Sequence, residues 1–487
     1  MKESIKKPLI VDLDGSLIRN DLLIDSLLFF TFKSPLNIFR AAGYLLKGKA
    51  NLKHQLAKHV EIDEKSLPYN EQVLKVIKKV KSDGRKLILA TASNEKYALQ
   101  ISNHLGIFDG VLASNESVNL RSKNKADKLV EEFGEGDFDY IGNSKDDLAV
   151  WSKSSLSYIV EPGFCLLRKL KKIYRAKNES KESKIEIIKE NGKKSALRIW
   201  LKQIRIHQWS KNMLIFVPLL SSHNIADFDL IYSAALGFIL FSLCASCVYM
   251  LNDLVDLQND RKHKSKKNRP VACAKISIFS AAFSCLALLA TSCIGAYLLM
   301  PLWFFISIIS YYILTLSYSL VLKKLEVFDV IMLASLYTIR IIAGAFAIST
   351  ALTFWILSFS MFIFLSLAFV KRHCEIFDHR KSGSSEAISG RGYYSSDLEI
   401  ISSLGCASGY LSVMILALYI QDPSTIELYS RPRIIWFACP LFLFWISRIW
   451  VLAHRGKIHD DPVFFAIKDK ISWVVVTFLT ATFWYAS

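Results

Sequence analysis

A cluster of acidic and amide side chains lies near the middle of the chain, directly after a long apolar run. The cluster comprises Asn252, Asp253, Asp256 and Asp260. On an ideal helix, all four fall within an arc of about 100° on one face. Hard oxygen ligands with this spacing suit Mg²⁺, which commonly bridges carboxylates to phosphates. Because ionisable groups beside an apolar span are rare without a function, the pattern predicts a Mg²⁺-diphosphate site at a helix end.

The residues that follow this cluster are strongly basic. They are Arg261, Lys262, His263, Lys264, Lys266, Lys267 and Arg269. Such cations supply the charge that a diphosphate needs, and Arg261 and Lys267 are candidate substrate-binding residues. The structural alternative is a solvated helix end followed by an ordinary basic loop. The acidic residues argue against this alternative, because like charges on one helix face repel one another and resist burial in lipid.

A second set of polar side chains lies in the N-terminal third, at the ends of apolar segments. LIVDLDGSLI (Leu9–Ile18) has the pattern of a buried strand that ends in Asp12 and Asp14. A second strand, KLILATASN, ends in Thr91, and Lys125 opens the helical stretch KADKLVEEF. A third strand, FDYIGNSKDDL, ends in Asn143, Asp146 and Asp147. Because parallel strands end at one edge of a sheet, these groups predict an α/β active-site rim.

The order of these motifs resembles the haloacid-dehalogenase (HAD) phosphatase superfamily over roughly residues 5–165. The shared motifs are DxD, a strand-terminal Thr or Ser, a Lys, and a pair of the form G(D/N)xxxD. The resemblance implies that Asp12 is a nucleophile and that Asp14 is a general acid and then a base. It also implies that Thr91 and Lys125 hold the phosphoryl oxygens. The implied Mg²⁺ ligands are Asp12, Asn143 and Asp147. The asparagine of this set replaces the commoner aspartate.

The C-terminal part of the chain is predicted to cross a membrane repeatedly. Apolar runs of roughly 20 residues recur there, each long enough to span a hydrocarbon core of ~30 Å. The predicted spans are residues 211–224, 229–251, 276–298, 300–322, 327–349, 352–370, 398–419, 432–453 and 471–487. The loops that begin at 252, 323, 371 and 454 hold roughly eighteen Lys and Arg, against about two in the alternate loops. This positive-inside pattern predicts a multi-pass protein of the inner (cytoplasmic) membrane, with the acidic cluster and the N-terminal domain on the cytoplasmic side.

The net charge of +18 therefore follows the membrane topology and does not predict nucleic acid binding. The first residues, MKESIKKPLIVDLDG, become acidic too soon for a secretory signal. The nine cysteines lie mostly inside apolar runs without metal-ligand spacing, so a disulfide framework is not expected. Cys244 and Cys247 are interpreted as small packing residues of a spanning helix.

These patterns predict two domains and a linker. Residues 1–170 are predicted to form an α/β HAD-like (Rossmannoid) phosphatase domain with a helical cap at about 20–86. Residues 171–195 are predicted as a charged, partly helical linker, because they lack an apolar face long enough to pack. Residues 196–487 are predicted as an all-α polytopic membrane domain of about nine transmembrane helices. The apolar run at Leu28–Phe30 fits either the interior of the cap or the membrane surface.

The membrane half resembles the UbiA prenyltransferase superfamily over about residues 195–487, including the NDxxDxxxD motif at Asn252–Asp260. Members usually carry a second aspartate-rich motif. At Tyr318–Ala345, the matching place, this chain has Asp329 without a DxxxD partner. Ordinary aromatic prenylation is therefore in doubt. Three segments instead resemble the branch that makes decaprenylphosphoryl-5-phosphoribose: IRIHQWSKN (Ile204–Asn212), KRHCEI…GRGY (Lys371–Tyr393) and RIWVLAHRGKIHDDPVFFAIKDKISW (Arg448–Trp473).

This resemblance implies Mg²⁺ ligands at Asp253, Asp256 and Asp260, with Asn252 in support. Further cations are candidates for binding phosphates: Lys211, Lys323, Arg340, Lys371 and Arg372. An arginine inside a span seldom lacks a partner, and Asp329 is the partner that the sequence suggests for Arg340. Three later residues fit either a role near the site or a solvated loop: His459, Asp460 and Asp461.

Together the two halves predict a bifunctional enzyme with Mg²⁺ in both domains. The membrane domain would transfer 5-phosphoribose from phosphoribosyl diphosphate (PRPP) to a polyprenyl (decaprenyl) phosphate, and the HAD domain would remove the 5-phosphate. The expected partners are these substrates and the lipid bilayer, without nucleic acid, and the oligomeric state stays open. One alternative is a prenyltransferase that uses a prenyl diphosphate and a small or aromatic acceptor. In the other, the HAD domain acts on an unrelated phosphate or is an inactive lipid-docking module.

Overall fold

The described part of the chain forms two compact units in a computed structural model. One unit comprises Met1–Ile204 and Met250–Phe283, and the other comprises Arg205–Tyr249 and Ser284–Ser487. The first contains a parallel β-sheet and the second is helical, as the sequence predicts. The structure describes residues 7–34, 36–116, 118–176, 185–189, 195–222, 226–381, 391–458 and 461–486.

The first unit is built on six parallel strands. They are β1 (Leu9–Val11), β2 (Leu87–Asn94), β3 (Gly110–Ser114), β4 (Asp139–Gly142), β5 (Ser157–Val160) and β6 (Ile185–Ile188). Their order across the sheet is β3-β2-β1-β4-β5-β6. The central strand β1 is wholly apolar and buried, as expected for a strand with both faces covered. Val11 lies opposite Leu89 of β2 and Ile141 of β4, so the carboxyl ends of these three strands meet at one edge.

Nine helices of the described residues accompany this sheet. They are α1 (Leu22–Lys33), α2 (Asn37–Leu46), α3 (Lys49–His59), α4 (Glu71–Ser82), α5 (Glu95–Leu105), α6 (Lys123–Phe133), α7 (Leu148–Trp151), α8 (Phe164–Ala176) and α9 (Ala196–Gln203). Helices α1 to α3 pack on one another as an insert after β1. Phe29 and Phe30 are buried, so the apolar run of α1 belongs to the interior of the insert. Helix α2 instead leaves Ile38, Phe39 and Leu46 exposed.

The predicted linker contributes to the sheet and is not a linker throughout. Strand β6 pairs with β5 along its length, from Ile185 opposite Ser157 to Ile188 opposite Val160. Helix α8, which crosses the predicted boundary at residue 170, buries Leu170 and Tyr174 against the sheet. The prediction of a linker over 171–195 is therefore wrong for these described parts. The β-branched run IEII can pair with an open sheet edge even though the residues around it are charged.

The remaining helices form the apolar part of the chain. They are α10 (Val217–Ser221), α11 (Phe228–Val255), α12 (Leu257–Lys262), α13 (Ile278–Leu299), α14 (Leu302–Leu320), α15 (Phe328–Ala347), α16 (Phe354–Lys381), α17 (Leu398–Ile420), α18 (Pro423–Leu428), α19 (Ala438–His454), α20 (Pro462–Lys468) and α21 (Lys470–Ala486). Within the described residues, seven helical segments are long and apolar enough to cross a membrane: those of α11, α13, α14, α15, α16, α17 and α19.

The predicted count of nine spans is therefore approximate. The first predicted span is a 3₁₀ segment, Ile206–Phe216, followed by the short helix α10. The last is α21, whose 17 residues are slightly short for a bilayer core.

Helix α15 lies at the centre of the helical unit. It contacts α14, α16, α10 and the Ile206–Phe216 segment. Gly344 allows the close approach of that segment, because a Cβ atom there would lie 2.1 Å from the carbonyl oxygen of Ile215. The 3₁₀ segment is thereby held against the side of α15 that carries Arg340.

Candidate active sites

The first candidate site lies at the carboxyl edge of the parallel sheet. Asp12 directly follows β1, Thr91 lies in β2, and Asn143 directly follows β4. The in-register pairing of β1 with both neighbours brings these positions to one edge, as the sequence predicts. Lys125 reaches the same edge from the first turn of α6.

Asp12 and Lys125 form a buried ion pair at this edge. The Nζ of Lys125 lies 2.7 Å from Oδ1 of Asp12 and donates to the Tyr140 hydroxyl at 3.0 Å. Tyr140 in turn donates to Asp147 at 2.7 Å. Burial raises the pKa of the Asp12 carboxyl to about 7, although the charge of Lys125 opposes this shift. Lys125 is therefore the group that favours the ionised form of Asp12.

Asp14 is held as a candidate proton carrier beside this pair. Its carboxylate accepts the backbone N–H of Leu22 at 2.8 Å and the hydroxyl of Ser93 at 2.6 Å. Burial, assisted by the charge of Asp21, raises the pKa of Asp14 to about 6. A carboxyl with such a pKa can give and take protons near neutral pH. The hydroxyl of Thr91 lies 3.5 Å from the same carboxylate.

Two side-chain oxygens of this site are placed so that they can both bind one Mg²⁺ ion. The single hydroxyl of Ser16 lies 3.3 Å from Oδ2 of Asp12 and 3.4 Å from Oδ1 of Asn143, so these two oxygens converge. Gly15 permits this approach, because a Cβ there would lie 2.1 Å from the Asn143 amide nitrogen. Asp147 accepts the backbone N–H groups of Asn143 and Ser144, and it anchors the loop that carries Asn143.

A cavity of about 480 Å³ opens over these residues. Its polar lining includes Asp12, Asp14, Lys125 and Asn143, together with Lys53 of α3. The Nζ of Lys53 donates to the carbonyl oxygen of Ala92, and burial lowers the pKa of Lys53. The first unit therefore gathers carboxyl groups and lysines around one cavity, an arrangement that is chemically suited to phosphoryl transfer.

The acidic cluster belongs to the same unit but forms a separate group. Helix α11 ends at Val255, and Asp256 lies at the break before α12. Asp253 and Asp260 are buried, whereas Asn252 and Asp256 are half-buried. The prediction that the four side chains share one face of a continuous helix is therefore wrong, because they are divided between two helices.

Asp253 and Asp260 nevertheless converge on one point, which the Arg269 guanidinium occupies. Nη1 of Arg269 lies 3.0 Å from Asp253 and also contacts Asp260. Gln203 donates to the other oxygen of Asp253 at 3.0 Å. Burial raises the pKa of Asp260, although Arg269 opposes the shift. Because both carboxylates contact the same nitrogen of Arg269, a divalent cation at the position of that nitrogen could be bound by both of them.

No group of three or more His, Cys, Asp or Glu side chains is arranged for a metal in the described part of the chain. The Asp253–Asp260 pair would thus need other oxygen ligands, such as those of a bound diphosphate, to complete a Mg²⁺ shell. Of the basic residues after the cluster, Lys267 is exposed. Arg261 is buried and paired with Asp25, and so it is not placed as the free diphosphate ligand that the sequence suggested.

The second unit contains a polar cavity of about 390 Å³. Lys211, Lys371 and Asp461 meet there, with Asp461 at 2.6 Å from the Lys211 ammonium and 3.9 Å from that of Lys371. Burial alone would raise the pKa of Asp461, but the two lysines outweigh it and hold the pKa below its usual value. The cavity lining comprises Arg205, Gln208, Lys211, Tyr249, Lys371, Cys374, Glu375, Asp378 and Asp461.

The predicted pairing of Arg340 with Asp329 is wrong. Arg340 donates to Asn212 at 2.9 Å and to the Tyr311 hydroxyl at 3.2 Å. Its guanidinium also lies over three aromatic rings, those of Phe241, Tyr311 and Tyr337. Aromatic faces and neutral acceptors can hold a buried guanidinium without a carboxylate.

Asp329 instead pairs with Arg372, and both side chains are fully buried. Asp329 also accepts the hydroxyl of Tyr393 at 2.6 Å. Arg372 is thus engaged within the protein and is not placed as an open phosphate ligand. Lys323 is half-buried in the 3₁₀ turn Leu322–Lys324. His459 and Asp460 lie outside the described residues.

A sequence model of the UbiA prenyltransferase family matches residues 213–468, which is more than half of the chain. The chain belongs to the UbiA prenyltransferase family. The protein y4nM of Sinorhizobium fredii, described as uncharacterized, is 38% identical over 98% of this chain and 90% of its own length. A decaprenyl-phosphate phosphoribosyltransferase of Mycobacterium tuberculosis is 29% identical over 56% of this chain and 88% of its own length.

The α/β domain of this UbiA family member has HAD-like neighbours among solved structures. A substrate-bound phosphoserine phosphatase covers 34% of this chain and 91% of its own, at 16% identity and a TM-score of 0.26.

Several residues that line the two cavities were not predicted from the sequence. Ser93 and Lys53 belong to the first, and Glu375 and Asp378 to the second. A signal was present for the last two, because Lys371, Glu375 and Asp378 are spaced four and three residues apart and so share one face of α16. Ser93 and Lys53 have no comparable pattern, since each reaches its site through tertiary packing.

Proposed function

We propose that this UbiA family member is a Mg²⁺-dependent, bifunctional membrane enzyme. Its membrane domain transfers 5-phosphoribose from PRPP to a polyprenyl phosphate with release of diphosphate. Its HAD-like domain then removes the 5-phosphate and leaves polyprenylphosphoryl ribose. The observation that carries the proposal is the presence, in one chain, of two clusters. One joins Asp12 with Lys125 and Asp14, and the other is the converging pair Asp253 and Asp260.

In the transfer step, an oxygen of the polyprenyl phosphate bonds to C1 of the ribose while the bond from C1 to diphosphate breaks. The diphosphate leaves with the electron pair, so negative charge grows on it. Asp253 and Asp260 would hold Mg²⁺, which neutralises this charge when bound. The acceptor is already an anion and needs no strong base. Lys211 and Lys371, which line one cavity, are proposed to bind a phosphate group.

In the phosphatase step, a carboxylate oxygen of Asp12 attacks the phosphorus of the 5-phosphate. Asp14 donates its proton to the departing ribose oxygen and later takes a proton from the water that releases phosphate. Lys125 offsets the charge on Asp12 and on the phosphoryl oxygens. Asp12 and Asn143 would hold the Mg²⁺ of this site, because their oxygens converge on Ser16.

Two observations support the substrates and the orientation. The similarity to a decaprenyl-phosphate phosphoribosyltransferase extends over 88% of that enzyme and favours ribose transfer to a lipid phosphate. The positive charge of alternate loops favours an inner-membrane protein with both sites on the cytoplasmic side. The family description favours a second candidate, prenyl transfer from a prenyl diphosphate to a small acceptor.

The direct test supplies purified full-length protein with Mg²⁺, polyprenyl phosphate and PRPP labelled in the ribose. The proposal expects label in the lipid fraction, loss of that label with Asp253→Asn, and no loss with Asp229→Asn. Asp229 is a matched control, because it is an exposed carboxylate at the opposite end of α11. If no ribose label enters the lipid fraction, the proposed transfer of 5-phosphoribose to polyprenyl phosphate is overturned. Transfer from a labelled prenyl diphosphate to a small acceptor would then establish the second candidate.

A further inference from the structure

The cavity over Asp12 and Asp14 is lined in part by residues far away in the sequence. They follow the acidic cluster and belong to the same compact unit. This cavity wall consists of Arg261, Val271, Ala274, Ile276, Ser277 and Ile278. Nothing in its sequence distinguishes the wall from an ordinary loop after a membrane helix. Its position in the phosphatase cavity gives it a second role.

Arg261 fixes this wall to helix α1. Its guanidinium makes a two-pronged contact with Asp25, with Nη1 at 2.5 Å from Oδ2 and Nη2 at 3.4 Å from Oδ1. Its Nε donates to the carbonyl oxygen of Ala272 at 3.2 Å, which ties the same guanidinium to the wall. Asn20 donates to Asp25 at 2.5 Å. The side chains of Arg261 and Asp25 are 4% and 0% exposed, so a forked arginine holds a buried carboxylate.

The cavity lining combines apolar with charged side chains. From the cavity wall, Ala274 and Ile278 contribute half-buried apolar side chains, whereas Val271 and Ile276 are almost fully buried behind them. Further apolar side chains from the insert line the same cavity: Leu23, Ile24, Leu45 and Leu52. The same lining carries the charged groups around Asp12. A phosphate monoester that also bears an apolar group is complementary to such a cavity, whereas a small polar sugar phosphate leaves the apolar side chains uncovered.

We propose that the cavity wall selects the substrate of the phosphatase. Ala274 and Ile278 contact the apolar part of a phosphate monoester, and Arg261 and Asp25 are positioning residues that hold the wall in place. The selected class is an amphiphilic phosphate monoester, such as a lipid-linked sugar phosphate. The proposal rests on the proposed phosphatase function, and it does not require that ribose transfer also occurs.

The test measures kcat and KM of the full-length protein, with Mg²⁺, for dodecyl phosphate and for ribose 5-phosphate. Wild type should prefer dodecyl phosphate, and Ile278→Ser should reduce that preference about tenfold, equivalent to ~1.4 kcal/mol of lost apolar contact. The loss should appear in the KM for dodecyl phosphate. Phe279→Ser is the matched control, because Phe279 is 73% exposed and absent from the cavity lining. It should leave both substrates unchanged.

Arg261→Gln and Asp25→Asn test the positioning role. Each should raise the KM for dodecyl phosphate with little change in kcat, and the double variant should lose no more than either single one, because both break one contact. An Ile278→Ser enzyme with unchanged preference would overturn the inference, and so would equal losses on both substrates. A protein that hydrolyses neither ester overturns both the inference and the phosphatase function. Selective hydrolysis without ribose transfer overturns only the transferase half of the proposed function.

Discussion

Replacing Lys125 by methionine should strongly reduce phosphatase activity while the α/β domain stays folded. The lysine is 6% exposed, and its Nζ donates a hydrogen bond of 2.7 Å to Asp12. A hydrogen bond to a charged group contributes about 1.5–3 kcal/mol. Since ~1.4 kcal/mol is a factor of ten in rate, kcat/KM for p-nitrophenyl phosphate should fall roughly 10- to 150-fold.

The assay follows p-nitrophenol release by the full-length protein with Mg²⁺, and circular dichroism checks the fold. Lys128→Met is the matched control on the same helix α6. Lys128 is exposed and pairs with Glu131 at 3.1 Å, a surface contact that contributes little. It should change kcat/KM less than about twofold. A folded Lys125→Met protein with wild-type activity would refute the role of this lysine in holding the nucleophile.

Two further predictions concern the helical unit. Asp329→Asn should lower the free energy of unfolding in detergent by about 1.5–3 kcal/mol, because it removes one of the two carboxylates that contact the buried Arg372 guanidinium, the other being that of Glu375; unchanged chemical denaturation would contradict this pairing. The pKa of Asp461 is lowered in the folded protein, so this carboxylate stabilises the fold above its unfolded pKa, and the contribution is lost as pH falls through the folded pKa. In Lys211→Met, the melting temperature should fall less between neutral pH and about pH 3 than it does in wild type. The same pH dependence of melting temperature in both proteins would count against the Lys211–Asp461 pair.

The phosphatase-like edge was largely predictable from sequence, because its geometry follows from strand order. Asp12, Thr91 and Asn143 each follow or end an apolar segment, and parallel strands place such ends together. Ser93 and Lys53 were not predictable in this way. Ser93 is one of several small polar residues near the end of β2, and Lys53 enters from a helical insert whose packing no local pattern specifies.

Partners of buried charges were the least predictable feature of the membrane half. Asp329 and Arg340 lie in one helix, and the sequence therefore suggested that they form an ion pair. Each instead has partners on other elements. Asp329 pairs with Arg372 of α16, and Arg340 packs among aromatic rings. Spacing along a helix indicates which residues share a face, but it does not indicate which neighbouring helix packs there.

The acidic cluster shows an intermediate case. Its composition indicated a cation site, and Asp253 and Asp260 do converge on the cationic side chain of Arg269. The assumed single helix was wrong, because the helix is interrupted at Asp256, between α11 and α12. The neighbouring Arg261 lines the cavity over Asp12 and Asp14 and pairs with Asp25, which no property of a basic loop predicted.

The measurement that tests the two-step account most directly is the mass of the lipid product made from PRPP and polyprenyl phosphate with Mg²⁺. The account predicts that wild type gives ribosyl lipid without the 5-phosphate, and that Asp12→Asn stops at the 5-phosphorylated lipid. Asp253→Asn should give neither product. A wild-type reaction without ribose in the lipid, or an Asp12→Asn protein that still releases the 5-phosphate, would contradict it.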